Sequence, residues 1–138
     1  MKVFLDTNVL VSAFAARGIC ADLLEVILIE HDLIIGRNVL RELTRALRDK
    51  IRLSATRATE IASFVAGEAA EVIEHTEPAD ARVDADDALV LGEALRGQAE
   101  WFVTGDAALL RLVNLDGLKI VSPRQFWEAL RTRGGQHP

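Results

Sequence analysis

The sequence predicts an α/β fold of three layers, a central and mainly parallel sheet with helices on both faces, and three observations lead there. Short apolar runs recur at Val3-Phe4-Leu5, Leu33-Ile34-Ile35, Val72-Ile73, Trp101-Phe102-Val103 and Leu118 to Val121. Longer segments with apolar residues at steps of three and four separate most of them, which is the spacing of helices with one buried side. The runs themselves are apolar throughout instead of alternating, the pattern of strands buried on both faces, and such strands belong to parallel sheets with helical cover on each side. A chain of 138 residues accommodates this as one domain, set at residues 1–132 with a flexible tail over 133–138.

Each element follows in order. The first strand runs into a helix after Asn8 that Arg17-Gly18 interrupts and that resumes through Leu23, Leu24, Ile27 and Leu28. The second strand leads to a helix beginning near Asn38, a good N-cap residue, with Leu40, Leu43, Leu47 and Ile51 on one side. Ser54 is placed to cap a third long helix with Ile61, Phe64, Val65 and Ala69 inward. Thr76 to Val83, with Pro78 among small and charged residues, reads as a loop. A helix from about Asp86 to Arg96 precedes the Trp101 strand, a short helix follows Asp106, and a last one follows Pro123 through Phe126, Trp127 and Leu130.

Composition excludes several classes. Half the residues are hydrophobic and 27% are charged, far from the regime of disordered chains. The single cysteine, Cys20, cannot form an intrachain disulfide, and no paired Cys and His spacing marks a zinc site. No apolar stretch of signal-peptide length follows Met1-Lys2, so the expectation is a reduced, cytoplasmic protein. The stretch from Ile19 to Ile35 carries Asp22, Glu25, Glu30 and Asp32, which argues against a membrane span. A net charge of −5 argues against coating nucleic acid by bulk electrostatics. Thirteen arginines against three lysines still allow a local face of guanidinium groups suited to phosphates.

Acidic residues fall where an α/β fold builds its sites. Asp6 follows the first strand in V-F-L-D-T-N and Asp106 follows the Trp101 strand in W-F-V-T-G-D; ligands of parallel sheets bind beyond the carboxyl ends of strands. Taken singly, each is equally well read as a cap for the helix that follows. The run D-A-D-D-A-L-V-L-G-E-A-L weakens that reading, because helical geometry sets Asp87 on the side of Leu91, Ala94 and Leu95, where an uncompensated carboxylate is costly. Asp84 precedes the helix and Asp86 points away from that side, so both rank below Asp87. Crowded carboxylates raise one another's pKa or draw in a cation. An oxygen-only set with no histidine nearby in sequence suits Mg²⁺, or Mn²⁺ in its place, better than zinc, and such sites serve phosphate chemistry.

Four motifs in this order, V-F-L-D-T-N-V-L-V-S-A, R-E-L at 41–43, D-A-D-D-A-L-V-L and F-V-T-G-D-A-A-L-L, resemble the PIN-domain ribonuclease family that includes the VapC-type toxins. S-P-R-Q-F-W-E-A-L resembles the last strand-to-helix step of a toxin-like subgroup, and the likeness runs from Val3 to about Leu130. It implies that Asp6, Glu42, Asp87 and Asp106 hold Mg²⁺ or Mn²⁺, with Asp84 and Asp86 as further candidates, and that Thr7, Asn8 and Thr104 support the acids. It implies an endoribonuclease that hydrolyses RNA phosphodiesters, leaving 5′-phosphate and 3′-hydroxyl ends. The setting it implies is the toxin of a toxin–antitoxin pair, with a small antitoxin protein near the site and homodimerisation. Glu42 enters through the resemblance, since periodicity sets it away from the centre of the Leu40, Leu43, Leu47 face. Ala108 departs from the family, which often has an acidic or polar residue there.

Arg37, Arg41, Arg45, Arg48 and Arg52 recur at steps of three or four and read as one stripe beside the apolar face. The stripe is a solubilising face, a track for RNA phosphates, or a dock for an acidic partner. His31, His75 and His137 are dispersed and pair with no nucleophile, and Trp101 and Trp127 read as core. Two other functions fit parts of the pattern. A phosphatase of the haloacid dehalogenase type would use Asp6 as nucleophile but lacks the second acid at Asn8, and a non-catalytic RNA- or protein-binding module would leave the acids without a task.

Overall fold

The computed structural model describes residues 1–74 and 77–135. Its elements are β1 (Lys2–Leu5), α1 (Thr7–Ala15), α2 (Ile19–Glu30), β2 (Asp32–Gly36), α3 (Arg37–Asp49), α4 (Ala55–Glu68), β3 (Glu71–Ile73), α5 (Ala85–Arg96), β4 (Trp101–Val103), α6 (Ala107–Leu110), β5 (Asn114–Leu115), β6 (Leu118–Val121) and α7 (Pro123–Gly135). The sheet order is β3-β2-β1-β4-β6-β5. Every pairing is parallel except the β5–β6 hairpin.

The apolar runs are the strands for the reason their composition gave. Val3, Phe4 and Leu5 are all buried, as are Leu33 to Ile35 and Trp101 to Val103; neighbours along a strand face opposite ways, so continuous burial means cover on both faces. Phe4 is in register with Ile34 on one side and Phe102 on the other, and the Phe4 and Phe102 rings stack with centroids 5.3 Å apart. The chain builds outward from β1 through β2 to β3, then returns to place β4 on the other side of β1. The reversal between β1 and β4 is the point at which such sheets open a crevice.

Two helix boundaries and one helix face depart from the sequence reading. Gly36, not Asn38, is the N-cap of α3. At its other end α3 stops at Asp49: Lys50 N–H bonds to Ala46 O and Leu53 N–H to Leu47 O, both at 2.9 Å, while Arg52 turns the chain with φ +63°. Ile51 therefore lies off the helix and is 36% exposed. In α4, Ser54 Oγ accepts from Arg57 N–H at 3.1 Å, and Ala58 and Val65 are buried, but Phe64 is 49% exposed and meets Phe14 edge-on. The break between α1 and α2 stands at Gly18, whose φ of +156° L side chains rarely adopt.

Residues 77–83 carry no helix or strand and are tied to α5 by Ala79 N–H to Ala88 O at 2.8 Å; Thr76, the expected start of that loop, lies outside the described residues. So do His75 and, at the other end, residues 136–138 of the expected tail, while α7 continues to Gly135. No helix among the described residues is long and apolar enough to cross a membrane.

Candidate active site

Asp6 sits where β1 ends, and its own N–H reaches across to Val103 O at the end of β4, at 3.0 Å. Its side chain is 7% exposed and fully engaged. Oδ1 accepts from Thr7 N–H at 2.8 Å, and Oδ2 accepts from the Thr104 hydroxyl at 2.8 Å and the Asn8 amide at 3.2 Å. Thr104 is buried and its Oγ1 also accepts from Asp106 N–H at 3.0 Å. Asn8 Oδ1 accepts from Gly105 N–H at 3.0 Å. Two short polar residues thus lace the end of β1 to the end of β4 and fix where Asp6 and Asp106 stand.

The other acids arrive on helices. Glu42, in the second turn of α3, accepts from Thr7 Oγ1 at 2.7 Å. Asp87 lies in the first turn of α5, where the helix dipole favours negative charge. Asp106 Oδ1 caps α6 by accepting from Ala108 N–H at 2.8 Å and Leu109 N–H at 3.3 Å. Asp6, Glu42, Asp87 and Asp106 all line one cavity of about 590 Å³, together with Thr7, Asn8, Ser12, Arg45, Asp49 and Lys50.

The electrostatics of this cavity are those of carboxylates crowded together. Burial raises the Asp6 pKa, the bonds from Thr104 and Thr7 oppose it, and the charges of Glu42 and Asp106 push the same way as burial. Asp87 is pushed up to about 6, first by burial and then by Asp84, Asp106 and Asp6. Mutual repulsion of this kind is relieved by a cation, and the donor set is all oxygen, as Mg²⁺ and Mn²⁺ prefer. As they stand, no three acidic, His or Cys side chains among the described residues form a ready ion cage; several of the oxygens are spent on N–H and O–H donors instead.

A match to the PIN domain family covers residues 2–108. The chain belongs to the PIN domain family. Solved structures agree in fold: this PIN domain resembles a chain of the crystal structure of VapBC2 from Rickettsia felis bound to a DNA fragment from their promoter, with a TM-score of 0.64 and 17% identity over 88% of this chain and 98% of that one. It resembles equally a chain of VapBC-1 from nontypeable Haemophilus influenzae, with a TM-score of 0.65 and 14% identity over 90% of this chain and 99% of that one. No curated protein matches the sequence.

Within this PIN domain the aspartate run resolves by position. Asp84 is the N-cap of α5, accepting from Asp87 N–H at 2.9 Å, and Asp86 is exposed; neither lines the cavity, and Asp87 does. The arginine stripe divides. Arg45 is on the cavity wall. Arg37 is held by Glu74, with Nε to Oε2 at 3.1 Å, and with Arg41 borders a shallow groove between α3 and α4. Arg48 is exposed, and Arg52 lies past the end of α3, so the five do not form one track.

Three polar residues of the cavity were not placed in the site by the sequence reading. Ser12 follows Asn8 by one turn of α1, and Asp49 and Lys50 follow Glu42 by two turns of α3, so helical spacing from a residue already singled out was the signal in each case. A fourth polar residue that went unread, Glu93, is buried beside this site.

Proposed function

We propose that this PIN domain is a metal-dependent endoribonuclease and the toxin of a toxin–antitoxin pair. One observation carries the reading: four carboxylates from four separate segments line a single cavity at the β1–β4 reversal, two of them with raised pKa values. Asp6, Glu42, Asp87 and Asp106 would hold Mg²⁺ or Mn²⁺, which supplies Lewis acidity and an activated water for phosphodiester hydrolysis. Thr7, Asn8 and Thr104 fix the Asp6 carboxylate, and the Thr7 hydroxyl orients Glu42. Arg45 and Lys50 give the acidic cavity a cationic wall that draws an RNA phosphate toward it, which is how a chain of net charge −5 accepts an anionic substrate.

The fold shared with chains of two VapBC structures supports a small antitoxin protein as partner, and a homodimer belongs to the same reading. The test is to incubate the purified protein with total cellular RNA and Mn²⁺ and map the new ends, beside a chelated sample and Asp6→Asn. Discrete 5′-phosphate ends that vanish in both controls are expected. Full cleavage by Asp6→Asn, or none by the wild type, overturns the proposal.

A further inference from the structure

Glu93 is a charged side chain that the acidic cavity does not include. It lies on α5, six residues after Asp87, with 1% of its surface exposed. Its Oε2 accepts from the Asn38 main-chain N–H at 2.9 Å and from the Asn38 side-chain amide at 3.4 Å, and its Oε1 has no hydrogen-bond partner among the described residues.

Asn38 is the second residue of α3, where the N–H groups have no partner within the helix. An N-cap side chain ordinarily takes one of them, but Gly36 holds that position here and makes no side-chain bond. Glu93 supplies the missing acceptor from another helix. Gly36 is required for space rather than for backbone freedom: its φ of −104° is open to any residue, whereas a Cβ there would collide with the Glu93 carboxyl group. The glycine and the glutamate are two halves of one joint. An apolar residue at 93 would avoid the unpartnered Oε1 and leave the Asn38 N–H unpaired instead.

The joint has a particular position. Glu42 is one turn beyond Asn38 on α3, and Asp87 opens the helix that bears Glu93. Asp6 and Asp106 are fixed at strand ends by Thr104 and Asn8, whereas Glu42 and Asp87 depend on how two helices meet. We infer that Glu93 is a positioning residue, which sets the N-terminus of α3 against α5 and thereby holds Glu42 opposite Asp87. This rests on the proposal that the four carboxylates bind an ion.

The test compares Glu93→Ala, Glu93→Asp and Glu93→Gln with the wild type, each shown to be folded by its melting transition. Hydrogen exchange at the Asn38 amide is read in metal-free protein, and Mn²⁺ affinity by the paramagnetic signal of the free ion. Alanine removes the acceptor and aspartate falls short of Asn38, so both lose protection at Asn38 and bind Mn²⁺ about tenfold more weakly, the low end of what outer-shell support of metal ligands contributes. Glutamine keeps an acceptor and restores both. A folded Glu93→Ala or Glu93→Asp protein with wild-type exchange at Asn38 or wild-type Mn²⁺ affinity overturns the inference. A wild type that takes up no Mn²⁺ overturns the ion reading and the link to Glu42 and Asp87 with it, and the metal-free exchange tells that failure apart from a failure of the Glu93–Asn38 contact.

Discussion

Thr7 holds two acids at once: its N–H donates to Asp6 Oδ1 at 2.8 Å and its hydroxyl to Glu42 Oε2 at 2.7 Å. The residue beside Asp6 in the chain is thereby the one that receives the acid arriving from α3, and its two donors can be separated by mutation. Thr7→Val keeps the shape and the N–H and loses only the hydroxyl. The expected result is Mn²⁺ affinity and cleavage lowered about tenfold with a stability change of about 1 kcal/mol or less, read by Mn²⁺ titration and urea unfolding. Unchanged Mn²⁺ affinity would detach Glu42 from the site.

Asp6 is also the N-cap of α1, so its replacements should divide function from stability. Asp6→Asn keeps an oxygen for Thr7 N–H and removes the charge; Asp6→Ala removes both. Cleavage is expected to vanish in each; both lose the Oδ2 acceptor of Thr104 and Asn8, and alanine adds to that a capping loss of about 1 kcal/mol. Denaturant unfolding of the pair decides this, and equal stabilities would contradict the capping role.

Glu93 makes stability depend on pH. Burial is the main reason that its pKa is pushed up to about 7 from 4.5, so the folded chain holds that proton more tightly than the unfolded one. The contribution is fully present below about pH 4.5 and is lost as pH rises through about 7, a change of about 3 kcal/mol. Unfolding free energies of wild type and Glu93→Gln should therefore converge in acid and separate by pH 7 in favour of glutamine. A difference that stays constant across this range would refute it.

Arg45 and Lys50 border the acidic cavity, while Arg37 is occupied by Glu74. Substituting Arg45 or Lys50 with Gln should weaken RNA binding and reduce the slope of log affinity against log salt by about 0.7 for each charge removed. Arg37→Gln serves as the control with an unchanged slope. Filter binding over a salt series distinguishes them, and an equal effect of all three would restore the long track that the arginine spacing suggested.

What the sequence made legible was whatever a local pattern records. Continuous apolar runs named the strands, Ser54 named a cap, and the sheet's handover at Asp6 and Asp106 followed from where strands end. Glu42 was reached by family likeness because helix periodicity centres on Leu40, Leu43 and Leu47 and says nothing of Thr7, 35 residues away, whose hydroxyl donates to it. The C-terminus of α3 was overrun because Ile51 and Arg52 keep the helical spacing although the backbone has already turned at Arg52. Glu93 stayed hidden for the opposite reason: one glutamate among Val90, Leu91 and Ala94 looks like an ordinary interruption until Gly36, at the end of β2, is seen to make room for it.

The reversal between β1 and β4 also sets an order of assembly. Thr104 and Asp6 are 98 residues apart in the chain, and their bond forms only when β4 docks along β1, a closure whose entropic cost grows with the length of the loop. A nascent chain that has emerged only as far as α5 carries Asp6, Glu42 and Asp87 without Thr104 or Asp106. The cavity is therefore complete only once the chain beyond β4 has been made, because its last carboxylate comes from Asp106.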